Sequence, residues 1–191
     1  RLLQVNGEVI PVTYSDVRLF AELKDGEVIQ GETNIDIPKH NGNIPIKRVW
    51  LEPNCQAYDE AQKAIEKADY IILSPGSLYT SLIATLLPKG IKKAIEKNKK
   101  AKIIYVAGSA YRLDGETGPE RLSDIVLQME KYLPRKIDLV IHNNHKLTNK
   151  QKTIYKEKKW GVFEFDKKNL ADKKVKSFDF EATDGGLSPT K

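Results

Sequence analysis

Apolar residues fall on every second position in Val17-Arg18-Leu19-Phe20-Ala21-Glu22-Leu23, the alternation of a half-buried strand. A second short run, Glu27-Val28-Ile29-Gln30-Gly31, follows after Lys24-Asp25-Gly26. Asp-Gly between two such runs predicts a hairpin, because those residues tolerate the positive φ that a tight turn needs. Ile46-Lys47-Arg48-Val49-Trp50-Leu51 is a further strand, so the chain to about residue 52 reads as strand-rich. Pro38 to Gly42 reads as a loop, with His40 an exposed loop residue.

The period then changes. Tyr58 to Ala68 places Ala61, Ala64, Ile65 and Ala68 on one helical face. Asp69-Tyr70-Ile71-Ile72-Leu73 is a short continuous apolar strand of the buried type. A small-residue loop follows, then a helical run from Leu82 to Leu87, interrupted by Pro88 and Gly90, and another helix from Ile91 to Lys97. Ala101 to Val106 is the next strand, a helix runs from about Glu120 to Leu133, and Ile137 to Ile141 is a third strand. Alternating strands and helices predict a Rossmann-like α/β fold: a mostly parallel sheet with right-handed crossovers, flanked by helices. Beyond residue 144 the pattern is faint; Gly161-Val162-Phe163-Glu164-Phe165 reads as an edge strand, and nothing in the tail suggests catalysis. Ser188-Pro189 has the form of a helix cap and first turn.

Composition narrows the class. A chain of 191 residues, 40% hydrophobic and 30% charged, has enough apolar material for a real core. No apolar run approaches the roughly 20 residues of a membrane span. Cys55 is the only cysteine, which excludes an intrachain disulfide and a cysteine metal cluster and suits a reducing, cytoplasmic setting. The net charge of +6 raises the question of nucleic acid. The lysines, however, sit among Glu and Asp on solvated helix faces without interleaved aromatic residues, so no nucleic-acid partner is expected.

Ligands of parallel α/β sheets bind beyond the carboxyl ends of the strands. Two loops leave the sheet there. In Ser74-Pro75-Gly76-Ser77-Leu78-Tyr79-Thr80-Ser81, Gly76 lets the backbone come close to a ligand, and Ser77 can cap the following helix. The amides of a first helical turn favour an anion. Ordinary capping after a strand explains the same residues. The loop is neither a Walker loop nor a dinucleotide fingerprint, and no Gly-x-Ser-x-Gly elbow exists. The second loop, Gly108 to Pro119, is long for a strand-to-helix connection. Its Glu116 can bind a ribose hydroxyl, accept a proton or assist a divalent cation, or be one exposed acid in a plain turn. Asp124, just inside the next helix, is what the helix dipole prefers. His142 and His145 lack the companions that a zinc site requires.

Asp69 to Ser81 resembles the A-D-x-I-I-L-G-P-G-S-L-Y-T-S signature of the YvcK-like proteins, or gluconeogenesis factors, relatives of the 2-phospho-L-lactate transferase CofD. Supporting similarities are Arg1-Leu2-Leu3-Gln4-Val5, Asp25-Gly26 with Gly31-Glu32, Arg48-Val49 with Leu51-Glu52-Pro53, and Gly115-Glu116-Thr117 followed by Ser123-Asp124. The resemblance extends over about residues 1 to 144, where Asn143 is its last matching position.

Three departures stand out. The family's Gly-Gly-Gly-Thr-Gly loop and Asp-Asp-Gly-Gly-Ser segment do not occur in this sequence. Gly118-Pro119-Glu120 stands where the family has Asp-Gly-Tyr, and Ala107 to Asp114 differs from Asn-Leu-Met-Thr-Gln-Pro. The expected organisation is therefore residues 1–191 as the C-terminal portion of one Rossmann-like domain, cut at both ends from a longer protein, with a β-rich segment at about 12–52 and the Gly-rich N-terminal part absent.

The resemblance implies a cytoplasmic, nucleotide-sugar-binding regulatory protein of carbon metabolism and envelope synthesis, with a UDP-sugar as ligand and recognition in place of turnover. Ligand contacts would come from Pro75, Gly76, Ser77, Tyr79, Thr80, Ser81, Glu116, Thr117 and Asn143. Gly76, Ser77, Thr80 and Ser81 would hold the diphosphate, Tyr79 would pack beside it, and Glu116 and Thr117 would contact sugar or ribose. No catalytic residue, metal or cofactor is implied on this reading, and a homo-oligomer is left open. The alternative is a CofD-like phospholactate transferase, which would use magnesium and have Asp114, Glu116 and Asp124 as its nearby carboxylates.

Overall fold

A computed structural model describes residues 7–188. The expected start at Arg1 to Val5, and the Pro189 half of the terminal Ser-Pro, lie outside the described residues.

The hairpin forms as the alternation predicts. Strand β1 (Arg18–Leu23) turns inward Leu19, Ala21 and Leu23 and pairs antiparallel with β2 (Val28–Gln30). Gly26, at φ 95°, takes the positive-φ position of the turn. Unforeseen from sequence, a one-turn helix α1 (Glu32–Asp36) follows at once. β3 (Ile46–Glu52) closes the other side of β1, giving the order β2-β1-β3.

The second half is the parallel sheet. Helix α2 (Asp59–Lys67) leads to β4 (Tyr70–Leu73), helix α3 (Ile91–Lys97) to β5 (Lys102–Val106), and, after the short β6 (Ala110–Arg112), helix α4 (Leu122–Tyr132) to β7 (Leu139–Asn143). The polar α5 (Asn149–Glu157) precedes β8 (Trp160–Val162), and β9 (Lys174–Phe178) ends the series. The order is β4-β5-β7-β9, every neighbour parallel. β6 and β8 form a separate antiparallel ribbon with Tyr111 opposite Gly161. Gly161-Val162 is thus a strand, as expected, but Phe165 lies beyond it.

Two expectations need correction. Among the described residues β4 stands at the end of the sheet; only Leu73 is buried and Ile71 half-buried, while Tyr70 is 62% and Ile72 60% exposed. Tyr70 and Ile72 share one face of the strand, and among the described residues that face is left uncovered, while Ile71 and Leu73 point to the core. His40, expected to be exposed, is half-buried with its Nε2 sealed from solvent.

One hydrophobic core joins the two sheets: Leu19, Leu23, Ile46 and Val49 pack in the same cluster as Ile83, Ile103, Val126 and Val140. Buried polar groups tie the layers. The Val49 N–H donates to the Tyr132 hydroxyl oxygen at 3.0 Å, which fixes β3 to α4. The Asn98 side-chain amide donates to the carbonyls of Ile65 and Ala68, 2.8 Å each, and its oxygen accepts the Ala101 N–H, so one side chain closes α2, α3 and β5 together.

Candidate functional site

The loop after β4 does not open into an ordinary α-helix. Leu78–Ile83 forms a π-helical turn that tightens into a 3₁₀ turn at Ala84–Leu86. The Leu82 N–H reaches back five residues to the Ser77 carbonyl at 3.0 Å. This helical run starts four residues earlier than the sequence pattern suggests. Ser77 occupies the cap position, but its hydroxyl does not cap; it donates to Asp36 Oδ1 at 3.1 Å. The Thr80 hydroxyl points to the same oxygen at 3.4 Å.

The capping is done from a distance in sequence. Both Glu116 carboxylate oxygens lie 3.1 Å from the Tyr79 amide, and one accepts the Thr80 amide as well. The cradle of amides expected to receive a ligand anion therefore exists, and the protein's own carboxylate fills it. Burial pushes the Glu116 carboxyl above its ordinary range, and neighbouring Asp36 adds to that, against the opposing pull of the Tyr79, Thr80 and Leu78 amides.

Beside this turn lies a cavity of about 320 Å³, at the carboxyl edge of the parallel sheet. Pro75, Gly76, Ser77, Asp36 and Glu116 line one side. Ser109, Tyr111, Arg112, Trp160 and Phe163 line the other, with Leu187 from the tail. Gly108 lies between the two sides: a Cβ there would be in ordinary contact distance, 3.7 Å from Phe163 Cε2 and 4.0 Å from Pro75 Cβ.

The expected site residues divide. Pro75, Gly76, Ser77 and Glu116 line the cavity; Tyr79, Thr80, Ser81, Thr117 and Asn143 do not. Tyr79, expected beside a ligand, is a core residue, 1% exposed, its hydroxyl donating to the Ile46 carbonyl at 3.3 Å. A tyrosine in a helical turn packed on α4 and β3 is worth more to the core than to a solvent-facing site. Ser81 lies against Gly76, where a Cβ would come within 3.2 Å of Ser81 Cβ. Thr117 gives its carbonyl to the Ile46 N–H at 3.1 Å, and its hydroxyl is sealed. Asn143 is a structural clamp: its Nδ2 donates to Ser109 Oγ and to Glu181 Oε2, both at 2.8 Å.

Sequence reasoning missed Asp36, Tyr111, Arg112, Trp160, Phe163 and Leu187. Tyr111 and Trp160 sit in three-residue strands whose pairing partners are about fifty positions apart, which periodicity cannot detect. The one usable signal was Trp160-Gly161, an aromatic residue beside a strand glycine. Asp114 pairs with Arg112 and Lys159 outside the cavity, and Asp124 serves the first turn of α4. Among the described residues, no group of three or more His, Cys, Asp or Glu could hold a metal ion. Among them, too, no helix is long and apolar enough to cross a membrane.

Comparison with known proteins places this geometry. Over residues 1–181 the chain matches the family of 2-phospho-L-lactate transferase CofD, well past residue 144, where the sequence motifs fade. A Thermotoga maritima relative assigned to the gluconeogenesis factors is 40% identical over 170 residues, which is 89% of this chain and 52% of that protein. The gluconeogenesis factor of Halalkalibacterium halodurans is 34% identical over 170 residues, 77% of this chain and 52% of the relative. A crystal structure of a UPF0052-family protein from Bacillus halodurans superposes with a TM-score of 0.86 at 28% identity, over 98% of this chain and 61% of that one. The chain thus spans about half the length of the curated relatives it matches.

Proposed function

The chain belongs to the CofD family, with the gluconeogenesis factors among its relatives, and from that premise we propose that it is a nucleotide-sugar-binding regulatory protein. The observation that carries the reading is the cavity at the carboxyl edge of the sheet, walled by the family's signature loop at Pro75, Gly76 and Ser77. Its chemistry suits a ligand of mixed character. Asp36 and Glu116 can accept sugar or ribose hydroxyls, and Arg112 brings a cation for phosphate oxygens. The carboxylates repel phosphate, so the diphosphate belongs on the Arg112 side, or else takes the amides of Tyr79 and Thr80 by displacing Glu116.

A ligand that binds only the folded protein raises its stability with the logarithm of concentration over Kd. Thermal unfolding is to be followed with UDP-N-acetylglucosamine, UDP-glucose, GDP-sugars and free nucleotides. The reading expects a concentration-dependent rise with UDP-sugars; no rise at millimolar concentration ends it.

The transferase reading rests on family membership alone. Magnesium needs unshared carboxylate oxygens, but both Glu116 oxygens already take the amides of Tyr79 and Thr80 and Asp36 Oδ1 takes the Ser77 hydroxyl, whereas a sugar hydroxyl needs only one lone pair that these bonds leave over. These residues do not fit the ion in this arrangement. Incubation with a guanylated phospholactate donor and a deazaflavin acceptor separates the two readings, since product formation would establish turnover.

A further inference from the structure

The two sides of the cavity differ in kind. The side built from the signature loop and α1 carries carboxylates and a hydroxyl; the side built from the β6–β8 ribbon is aromatic. Tyr111 and Phe163 have ring centroids 5.0 Å apart at 39°, a tilted pair that forms a continuous wall. The wall is held in place before any ligand arrives. A Cβ at Gly161 would fall 2.4 Å from Tyr111 Cζ, so the ring lies across the bare backbone of β8. Phe163 Cε2 rests against Gly108. Trp160 closes the end, boxed by Lys158 Nζ 4.5 Å above its ring and by Gly186.

Resting on the nucleotide-sugar reading, we propose that the planar base of the ligand stacks on the wall formed by Tyr111 and Phe163, with its sugar hydroxyls turned to Asp36 and Glu116. Rings with little freedom left give up little entropy on stacking. A flat heteroaromatic ring gains from their π faces whatever its hydrogen-bonding edge. The acidic side orders the ligand, because hydroxyls donate to carboxylates while phosphate is driven away from them. Base recognition thus lies in the ribbon, and Gly161 is the positioning residue that lets Tyr111 lie flat.

Calorimetric titration of UDP-N-acetylglucosamine, and of N-acetylglucosamine 1-phosphate as the base-free control, tests this in the unsubstituted protein and in Tyr111→Leu, Tyr111→Phe and Phe163→Leu. Tyr111→Leu is expected to weaken the nucleotide roughly ten-fold, the size of one lost stack. Tyr111→Phe keeps the ring and should keep most of the affinity, and the base-free ligand should be indifferent to all three changes. Equal loss for both ligands, or no difference between the Leu and Phe variants, overturns the stack and leaves nucleotide-sugar binding standing. Should Tyr111→Leu fail to fold, Phe163→Leu carries the same comparison. If the unsubstituted protein binds no nucleotide, both the stack and the reading beneath it fall.

Discussion

Glu116 rests on the backbone amide of Tyr79, with both carboxylate oxygens 3.1 Å from that nitrogen. The two residues belong to different loops at the sheet edge, so this contact, and not a local cap, sets the start of the π-helical turn. It also makes the turn's affinity for anions self-satisfied until something competes.

A pH dependence follows. Burial raises the Glu116 carboxyl above its unfolded value, with Asp36 as the nearest like charge. The folded state therefore binds the proton more tightly than the unfolded one. The stability tied to that proton is complete below the ordinary carboxylate value and is lost as pH rises through the raised folded value. Glu116→Gln cannot titrate. The advantage of the unsubstituted protein over this variant, measured as Tm between pH 4 and 8, should shrink as pH increases. A gap that widens with pH would contradict the assignment.

His145 makes a second titrating contact, with Nδ1 3.0 Å from Asp179 and Nε2 3.0 Å from Gln151 Oε1. The Asp179 carboxylate, with Gln151, raises the imidazole above its ordinary value. Stability from the charged ring is complete below the unfolded histidine value and disappears as pH rises through the folded one. His145→Ala should cost stability at pH 5.5 and much less at pH 9, read by denaturant midpoints. An equal cost at both would show that packing alone is at stake.

The tail is anchored by a buried acid. Glu181, 2% exposed, accepts the Tyr155 hydroxyl and the Gly186 amide at 2.6 Å each and the Asn143 side chain at 2.8 Å. Glu181→Ala orphans three donors, at roughly 1–3 kcal/mol for each that water cannot reach. An expected loss of about 3 kcal/mol should appear in urea unfolding. Hydrogen exchange at Gly186 should accelerate with it, and unchanged protection there would refute the anchor.

Gly90 opens α3 at φ 110°, and a Cβ there would lie 2.5 Å from Gln62 Oε1. Gln62 cannot simply swing away, because its side-chain amide donates to the Ala57 carbonyl at 3.0 Å. Gly90→Ala should destabilise by about 1–3 kcal/mol from backbone strain, and further if Gln62 lets go. A Tm within one or two degrees of the unsubstituted protein would show that the α2–α3 junction relaxes freely.

How legible this was depended on how local each element's cause is. The hairpin at Gly26, α3 and β5 follow from spacing within a few residues, and the parallel sheet from their alternation. β9 was invisible because Lys174-Val175-Lys176-Ser177-Phe178 sits at a sheet edge and is mostly solvated. α5 was invisible because its buried residues are Gln151 and Tyr155, which give no apolar stripe. The site was half legible. Gly76 and Ser77 announced a loop of close approach. That Tyr79 would turn into the core, and that Glu116 would fill the amides, depends on tertiary neighbours that no spacing records.

The ribbon and the last parallel strand impose an order in time on a chain leaving the ribosome. Three strands of the sheet can associate as soon as β7 emerges, but Trp160, Phe163 and Leu187 follow only later. During synthesis the acidic side of the pocket and Tyr111 would be present before Trp160 and Phe163 had joined them. A ligand that needs both halves would be held tightly only once Trp160, Phe163 and Leu187 had joined the pocket.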